Sequence, residues 1–367
     1  MARVFLLQGM IIRMQTAPFF KDKNVMITGH TGFIGSWLTK QLVMLNANVC
    51  GYSLDPPTHP NMFDALGVGG EITDIRGDVR NRETLCKTVS DFQPSIVFHL
   101  AAQPIVLESY DNPVDTFDIN VNGTVNLLNE LRKIDGVKTI VVVTSDKSYR
   151  NNENGHTCYI ESDALGGKDP YSASKSCQDI VVNSFRDNYF STSGIGISSV
   201  RAGNVIGGGD WAKYRIVPDI VRGIENNETI KIRNPNSVRP WQHVMEPISG
   251  MLTLAQHMWG NTSFSGSWNI GPDYGREVTV RELVEKFIGY YGNGRYEIDR
   301  NSGIKEATYL QLDISKVKKE LNWFPRYDFE KSVKDSVEWY KGYYSGADIA
   351  ELTKVQIKEF MEKNMVV

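Results

Sequence analysis

From residue 24 onward short β-branched runs alternate with longer amphipathic stretches, and this alternation constrains the fold more than any other feature of the chain. The runs read NVMITG (24–29), NVCGYSL (48–54), SIVFHLAA (95–102) and TIVVVTS (139–145). SWLTKQLVMLN (36–46) separates the first two. VDTFDINVNGTVNLLNELRKI (114–134) separates the last two, with Phe117, Val121, Val125, Leu128 and Leu131 at spacings of three and four, the mark of one helical face. Strands that return after a helical crossover pair in parallel, and strands apolar nearly throughout are covered on both faces. The pattern predicts an α/β fold with a doubly wound parallel sheet, on which 114–134 lies as one long helix.

After about residue 204 the texture changes. GGGDWAKYRIVPDIV and IKIRNPNSVRPWQHV crowd Gly, Pro, Trp and Arg together. Helical spacing returns at VTVRELVEKFIGY (278–290) and at LDISKVKKELNWFP (312–325), where Pro325 ends the run. The 367 residues exceed the ~150 of a typical domain. We divide them into an N-terminal extension (1–21), a sheet domain (22–203, joined by 237–264) and a smaller mixed α/β substrate domain (204–236 and 265–367). A formal net charge of −3 without a Lys/Arg cluster excludes general nucleic-acid binding, which rests on phosphate neutralisation. The opening MARVFLLQGMIIRMQ is broken by Arg3, Gln8 and Arg13. It lacks the ~18 apolar residues of a spanning helix and a small-residue cleavage site, so no membrane association is expected. Cys50, Cys86, Cys158 and Cys177 form no C-x-x-C pair, which predicts reduced thiols, a cytoplasmic home and no metal site.

Gly29-His30-Thr31-Gly32-Phe33-Ile34-Gly35 lies between a predicted strand and a predicted helix, the context in which a glycine pattern points to a dinucleotide and a Rossmann-type sheet. Glycine lets backbone approach a pyrophosphate, and the helix start offers free N–H groups and the positive dipole end. The second strand ends Gly51-Tyr52-Ser53-Leu54-Asp55, so Ser53 or Asp55 takes the ribose-binding position. That segment holds no basic residue, which favours NAD over NADP. Asp78 in RGDVR (76–80) faces adenine or caps the next helix.

Tyr171-Ser172-Ala173-Ser174-Lys175 follows Pro170 and runs into a helical stretch, so residues 171 and 175 share a face one turn apart. A phenol with pKa near ~10 is a poor base at neutral pH, and an adjacent ammonium favours the phenolate. The strand TIVVVT delivers Ser145-Asp146-Lys147 at its carboxyl end, where ligands bind in open α/β sheets. The two segments are expected to converge. His99 and His243 are read as strand-end or core histidines without a catalytic role.

The ordered set formed by the glycine turn, HLAAQ (99–103), NVNGT (120–124), TSDKSY (144–149), YSASK (171–175) and RAGNVIGGGDW (201–211) resembles the extended short-chain dehydrogenase/reductase superfamily. GHTGFIGSWL (29–38), GYSLDPP (51–57), GGKDPYSASK (166–175) and IRNPNSVRPWQHVMEP (232–247) are similar to the nucleotide-sugar 4,6-dehydratases within it, more narrowly to those acting on CDP-glucose. The resemblance covers about residues 22–340.

This resemblance implies a tightly bound NAD held by Gly29, His30, Thr31, Gly32, Phe33, Ile34, Gly35, Ser53, Asp55, Asp78, Val79, Leu100, Ala101, Ala102, Gln103, Tyr171 and Lys175. It implies conversion of CDP-glucose to CDP-4-keto-6-deoxyglucose by oxidation at C4, loss of water across C5 and C6, and hydride return to C6. Tyr171 would be the base at the 4-hydroxyl, with Lys175 lowering its pKa and Ser145 bound to the same oxygen. Asp146, kept protonated, would expel the 6-hydroxyl. Related enzymes resemble this strand end with an Asp-Glu pair; here Lys147 stands second, as C5 base or as stabiliser of the enolate. Arg239 and Asn204 match pyrophosphate-contacting positions, and Arg215, Arg233 and Tyr309 complete the substrate set. Also implied are a homodimer or homotetramer built on 114–134 and 171–190, and a place in deoxysugar synthesis for lipopolysaccharide O-antigen. The alternative on the same scaffold is a 4-epimerase or a dehydratase of a UDP-, dTDP- or GDP-sugar. An epimerase needs no acid at the 6-hydroxyl, and a non-catalytic relative would dispense with Tyr171 and Lys175.

Overall fold

Seven strands form one parallel sheet: β1 (Asn24–Thr28), β2 (Asn48–Ser53), β3 (Thr73–Arg76), β4 (Ile96–His99), β5 (Thr139–Val143), β6 (Gly196–Ala202) and β7 (Gly266–Ile270). Their spatial order is β7-β6-β5-β4-β1-β2-β3. The computed structural model describes residues 18–151, 158–273, 275–299 and 307–363. Successive strand residues point to opposite faces, and each face has its own core. Val25 and Ile27 join Trp37 and Ile248 on one side. Met26, Val97 and Ile140 join Leu85, Leu127 and Val182 on the other. The crossover helices α1 (Phe33–Met44), α2 (Arg82–Phe92), α3 (Gly123–Leu131), α4 (Pro170–Phe185) and α5 (Met245–Met258) supply those partners. Strand order reverses between β1 and β4, which opens a crevice at their carboxyl ends. The expected doubly wound Rossmann-type sheet is present.

Three expectations need correction. Residues 266–270, assigned above to the substrate domain, are the edge strand of the main sheet; Trp268 pairs with Val200 and is buried with Ile270. The folded unit also begins before residue 22, because Phe20 is wholly buried and Phe19 meets Trp259 edge-on at 5.6 Å. Residues 1–17 of the extension lie outside the described residues. The long helix is interrupted: Pro113–Phe117 passes through a π turn at Asp118–Asn122 into α3. There the buried Asn120 side chain accepts from the Gln103 main-chain amide at 2.8 Å and donates to Ser174 Oγ at 2.8 Å, the kind of function-linked bulge that π turns mark. Phe117 is consequently exposed, and Thr124, Leu127, Leu128 and Leu131 form the core face.

The smaller part is built on strand pairs Thr229–Ile232 with Arg295–Ile298 and Cys158–Tyr159 with Gln311–Leu312. Helices α6 (Ile216–Glu225), α7 (Val280–Tyr291), α8 (Phe329–Tyr344) and α9 (Ile349–Glu362) pack around them. From α8, the Tyr340 hydroxyl donates to the Asp210 carbonyl and accepts from its amide. A Cβ on Gly208 would lie 2.0 Å from the Trp339 ring. Among the described residues no helix is long and apolar enough to cross a membrane.

Candidate active site

The glycine turn closes the crevice floor. Gly29 has φ +79°, and a Cβ there would lie 2.7 Å from the Ala101 amide nitrogen; one on Gly35 would lie 2.1 Å from the Gly29 carbonyl. Side chains at both positions would fill the cradle. Gly32 starts α1 without a side-chain cap, leaving the first-turn N–H groups of Phe33, Ile34 and Gly35 to an anion. Thr31 Oγ1 lies 2.8 Å from Ser53 Oγ and donates to the Leu54 carbonyl at 3.0 Å, tying the turn to the end of β2. These residues fit the diphosphate and ribose of a dinucleotide.

The structure refines several of the residues expected to hold it. His30 is wholly buried behind the turn, with Nε2 2.8 Å from Asp74 and its ring where a Gly51 Cβ would stand, so it supports the turn from beneath. Asp55 is 89% exposed and lies 3.7 Å from Arg76, which also donates to the Leu54 carbonyl. A basic residue therefore does stand at the end of β2, delivered from β3, which sequence adjacency could not reveal. Asp78 is clasped by Arg80, which holds its carboxyl below the usual range. Asn81, not Asp78, caps α2. Val79 is buried and Gln103 Nε2 donates to Thr116 Oγ1, while Leu100, Ala101 and Ala102 follow β4 directly.

The two catalytic segments converge. Ser145 caps the turn Asp146–Ser148 by accepting from the Lys147 amide, and its hydroxyl lies 3.1 Å from Asp146 Oδ1. It also hydrogen-bonds the Tyr171 phenol. Tyr171 enters from the first turn of α4, which Pro170 and the Asp169 cap begin. Burial pushes the phenol up to about 12, against the Ser145 hydrogen bond and the Arg215 charge, which lower it. Arg215, held by Asp210 at 3.1 Å, is thus the cation with the largest effect on the phenol. Lys175 is buried and turned to the Val143 carbonyl (3.2 Å) and Gln178 Oε1 (2.9 Å). Burial lowers it to about 7. Desolvation raises Asp146 to about 6, although the Lys147 charge opposes this. Its Oδ2 has no hydrogen-bond partner among the described residues. A buried carboxyl whose hold on its proton is raised toward neutrality, next to a phenol hydrogen-bonded to Ser145, can act as a general acid.

Among the substrate candidates, Arg239 is buried, donates to the Val238 carbonyl and faces Asp146 closely enough to lower it. With Tyr309 it lines an open groove of 380 Å³ that also includes Cys158 and Glu277. Asn204 Oδ1 is buried without a partner among the described residues, which suits an awaited donor. Arg215 faces Tyr171, while Arg233 lies near Asp219; neither lines that groove. Sequence reasoning missed Asp210, Gln178 and Arg76. Gln178 alone carried a signal, its position three residues after Lys175 on the same helix.

Known proteins bear on this geometry. The family model described as GDP-mannose 4,6 dehydratase matches residues 26–336. CDP-glucose 4,6-dehydratase from Salmonella typhimurium is 43% identical over 94% of this chain and 97% of its own length. Among solved structures, an epimerase from Methanothermobacter thermautotrophicus has a TM-score of 0.79 at 21% identity, covering 94% of this chain and 98% of its own. DesIV, a dTDP-glucose 4,6-dehydratase from Streptomyces venezuelae with NAD and TYD bound, has a TM-score of 0.75 at 23% identity, covering 88% and 98%. Epimerases and dehydratases share this fold, so at these identities the fold alone does not choose between them. The matched span and the relative similar over nearly its whole length place the chain in the GDP-mannose 4,6-dehydratase family of extended short-chain dehydrogenases/reductases.

Proposed function

We propose that the protein is an NAD-dependent nucleotide-sugar 4,6-dehydratase whose substrate is CDP-glucose. Asp146 carries the reading: it is buried, has one oxygen unpartnered among the described residues and is raised to about 6, a group that dehydration needs and 4-epimerisation does not. The long similarity to CDP-glucose 4,6-dehydratase supports the choice of nucleotide. When bound, NAD supplies a store for one hydride between its removal from C4 and its return to C6. Gly29 to Gly35, Ser53 and Lys175 would hold it.

Tyr171 takes the proton of the hexose 4-hydroxyl while Ser145 binds the same oxygen and Arg215 offsets the phenolate charge. The resulting ketone acidifies C5–H. Asp146 gives its proton to the departing 6-hydroxyl, so water leaves across C5 and C6. Lys147 is the group at hand for C5, as a cation steadying the enolate or as a free amine taking the proton. A Lys147→Arg variant would keep the cation but could not serve as base, so retained turnover assigns the first role and lost turnover the second. Arg239, whose guanidinium is suited to it, and the Asn204 side-chain N–H would bind the diphosphate, with Asn204 Oδ1 left to accept from a hydroxyl of the substrate.

Exposed Val114, Phe117, Ile180 and Tyr189 lie within 114–134 and 171–190, the segments expected to pair, and exposed Tyr110 stands just before the first. They support a homodimer, to be measured by sedimentation. The free thiols and the nucleotide-sugar chemistry support a cytoplasmic setting. To test the function, the protein is incubated with CDP-, dTDP-, UDP- and GDP-hexoses, without and then with added NAD, and each is followed by mass spectrometry. Loss of one water from CDP-glucose alone is expected, and no loss from any sugar with NAD supplied refutes the reading.

A further inference from the structure

Lysine donates three hydrogens and accepts none. In this structure the Lys175 ammonium donates to two acceptors, the Val143 carbonyl at 3.2 Å and Gln178 Oε1 at 2.9 Å. Because the oxygen of Gln178 must face the lysine, its Nε2 donates at 2.8 Å to Thr124 Oγ1. Thr124 spends its one hydrogen on the Asn120 carbonyl, at 2.7 Å. His99 Nε2, 3.0 Å from Thr124 Oγ1, must therefore be the donor there. Its Nδ1 is then left to accept from Thr28 Oγ1 at 2.6 Å, and Thr28 in turn accepts from the Ala101 amide at 3.3 Å. Donor and acceptor arithmetic fixes the direction of each bond in this series, and His99 is fixed as the neutral Nε2–H tautomer. Burial, which lowers His99 to about 3, agrees.

We propose that Gln178 is the positioning residue for Lys175, an uncharged acceptor that fixes the ammonium without cancelling its charge and ties it through Thr124, His99 and Thr28 to the crevice loop at Ala101. A carboxylate at this place would hold the lysine equally well but neutralise it. The amide leaves a whole positive charge and one hydrogen for the site. This rests on the reading of Lys175 as part of the NAD site. Among the described residues, Asp179 on the same helix acts on the ammonium and His99 from β4 feels its charge; Arg201 from β6 pairs with Asp179 at 3.2 Å, and Tyr171 stands one turn earlier on the helix. Asp179, although paired with Arg201, still favours the ammonium, and the residue at position 178 sets the balance at the hydrogen-bond contact itself.

The test compares the protein with Gln178→Glu and Gln178→Met. Lysine labelled with 13C at Cε is titrated by NMR, the Lys175 resonance being assigned by its loss in Lys175→Arg. An anionic acceptor favours the ammonium and a missing one disfavours it. The midpoint is therefore expected to rise by about one pH unit in Gln178→Glu and to fall by about one in Gln178→Met. The alkaline limb of kcat is expected to move in the same order, roughly tenfold in rate at a pH on the limb, with KM for the sugar changed less than about twofold. Equal midpoints in all three proteins overturn the proposal, as does a resonance that moves while the kcat limb stays fixed. If Gln178→Glu does not fold, Gln178→Met against the parent decides alone. The titration needs neither NAD nor sugar, so a parent protein that dehydrates no nucleotide sugar removes the proposed function while the lysine midpoints still judge the tether.

Discussion

Replacing Asp146 by Asn should free stability that the active site withholds, and only above a defined pH. The carboxyl is wholly buried and moves from 3.8 to about 6 on folding. At ~1.4 kcal/mol for each pKa unit, keeping it ionised in the folded protein costs about 3 kcal/mol. The sign is the reverse of the usual carboxylate case, because the folded state binds the proton more tightly than the unfolded chain. Below 3.8 both states are protonated and the cost is absent. It grows as pH rises from 3.8 to 6 and is complete above 6. With unfolding entropy of ~2.1 cal/mol/K per residue over 367 residues, 3 kcal/mol amounts to about 4 °C in Tm. The new amide nitrogen has no partner at the Oδ2 position, which adds a constant penalty of about 1–3 kcal/mol, so the informative quantity is the change with pH. Thermal unfolding of Asp146→Asn and the parent, followed by circular dichroism from pH 4 to pH 7, should show the variant gaining about 3–4 °C on the parent across that range while losing dehydration. A difference in Tm that stays flat with pH would refute the burial argument for the acid.

Three further outcomes follow from the geometry. Tyr171→Phe should retain NAD yet lower dehydration by about 10²–10⁴-fold, the range for loss of a general base, as read by mass spectrometry. Gly35→Ala places a Cβ 2.1 Å from the Gly29 carbonyl; the displaced turn should weaken NAD binding about 100-fold by calorimetry, and unchanged affinity would remove the turn from the cofactor site. Arg201→Met leaves Asp179 buried and unpaired, which should cost about 3–5 kcal/mol in denaturant unfolding.

What the sequence disclosed depended on how local the signal was. β1, β4 and β5 are nearly continuous apolar runs buried on both faces, and the alternation exposed them at once. β7 reads GSWNI, with a glycine at positive φ and Asn269, whose amide serves Tyr159 and Asp313 carbonyls; its strand character comes from pairing with β6, which no window of five residues contains. The π turn was hidden for a similar reason, since Asn120 bends the helix through partners at Gln103 and Ser174. In the site, the glycine turn and the Tyr171–Lys175 spacing were legible because one turn of chain encodes each. The approach of Arg215 to Tyr171 and of Arg76 to Asp55 spans some 20 to 45 residues of sequence and arises only from the packing of the sheet and the loop after it.

The clamp on Asp210 gives the end of the chain a part in the chemistry. Tyr340 grips both main-chain polar groups of Asp210, and Asp210 holds the guanidinium that faces the phenol. During synthesis, which proceeds from the N-terminus, the glycine turn, Ser145 and Tyr171 emerge early, but the main chain of Asp210, which holds Arg215, lacks its Tyr340 clamp until α8 has left the ribosome. The nascent protein can build its dinucleotide cradle long before it can turn over a sugar, and a message cut short before codon 340 yields a chain with the recognisable motifs and an unfinished catalyst.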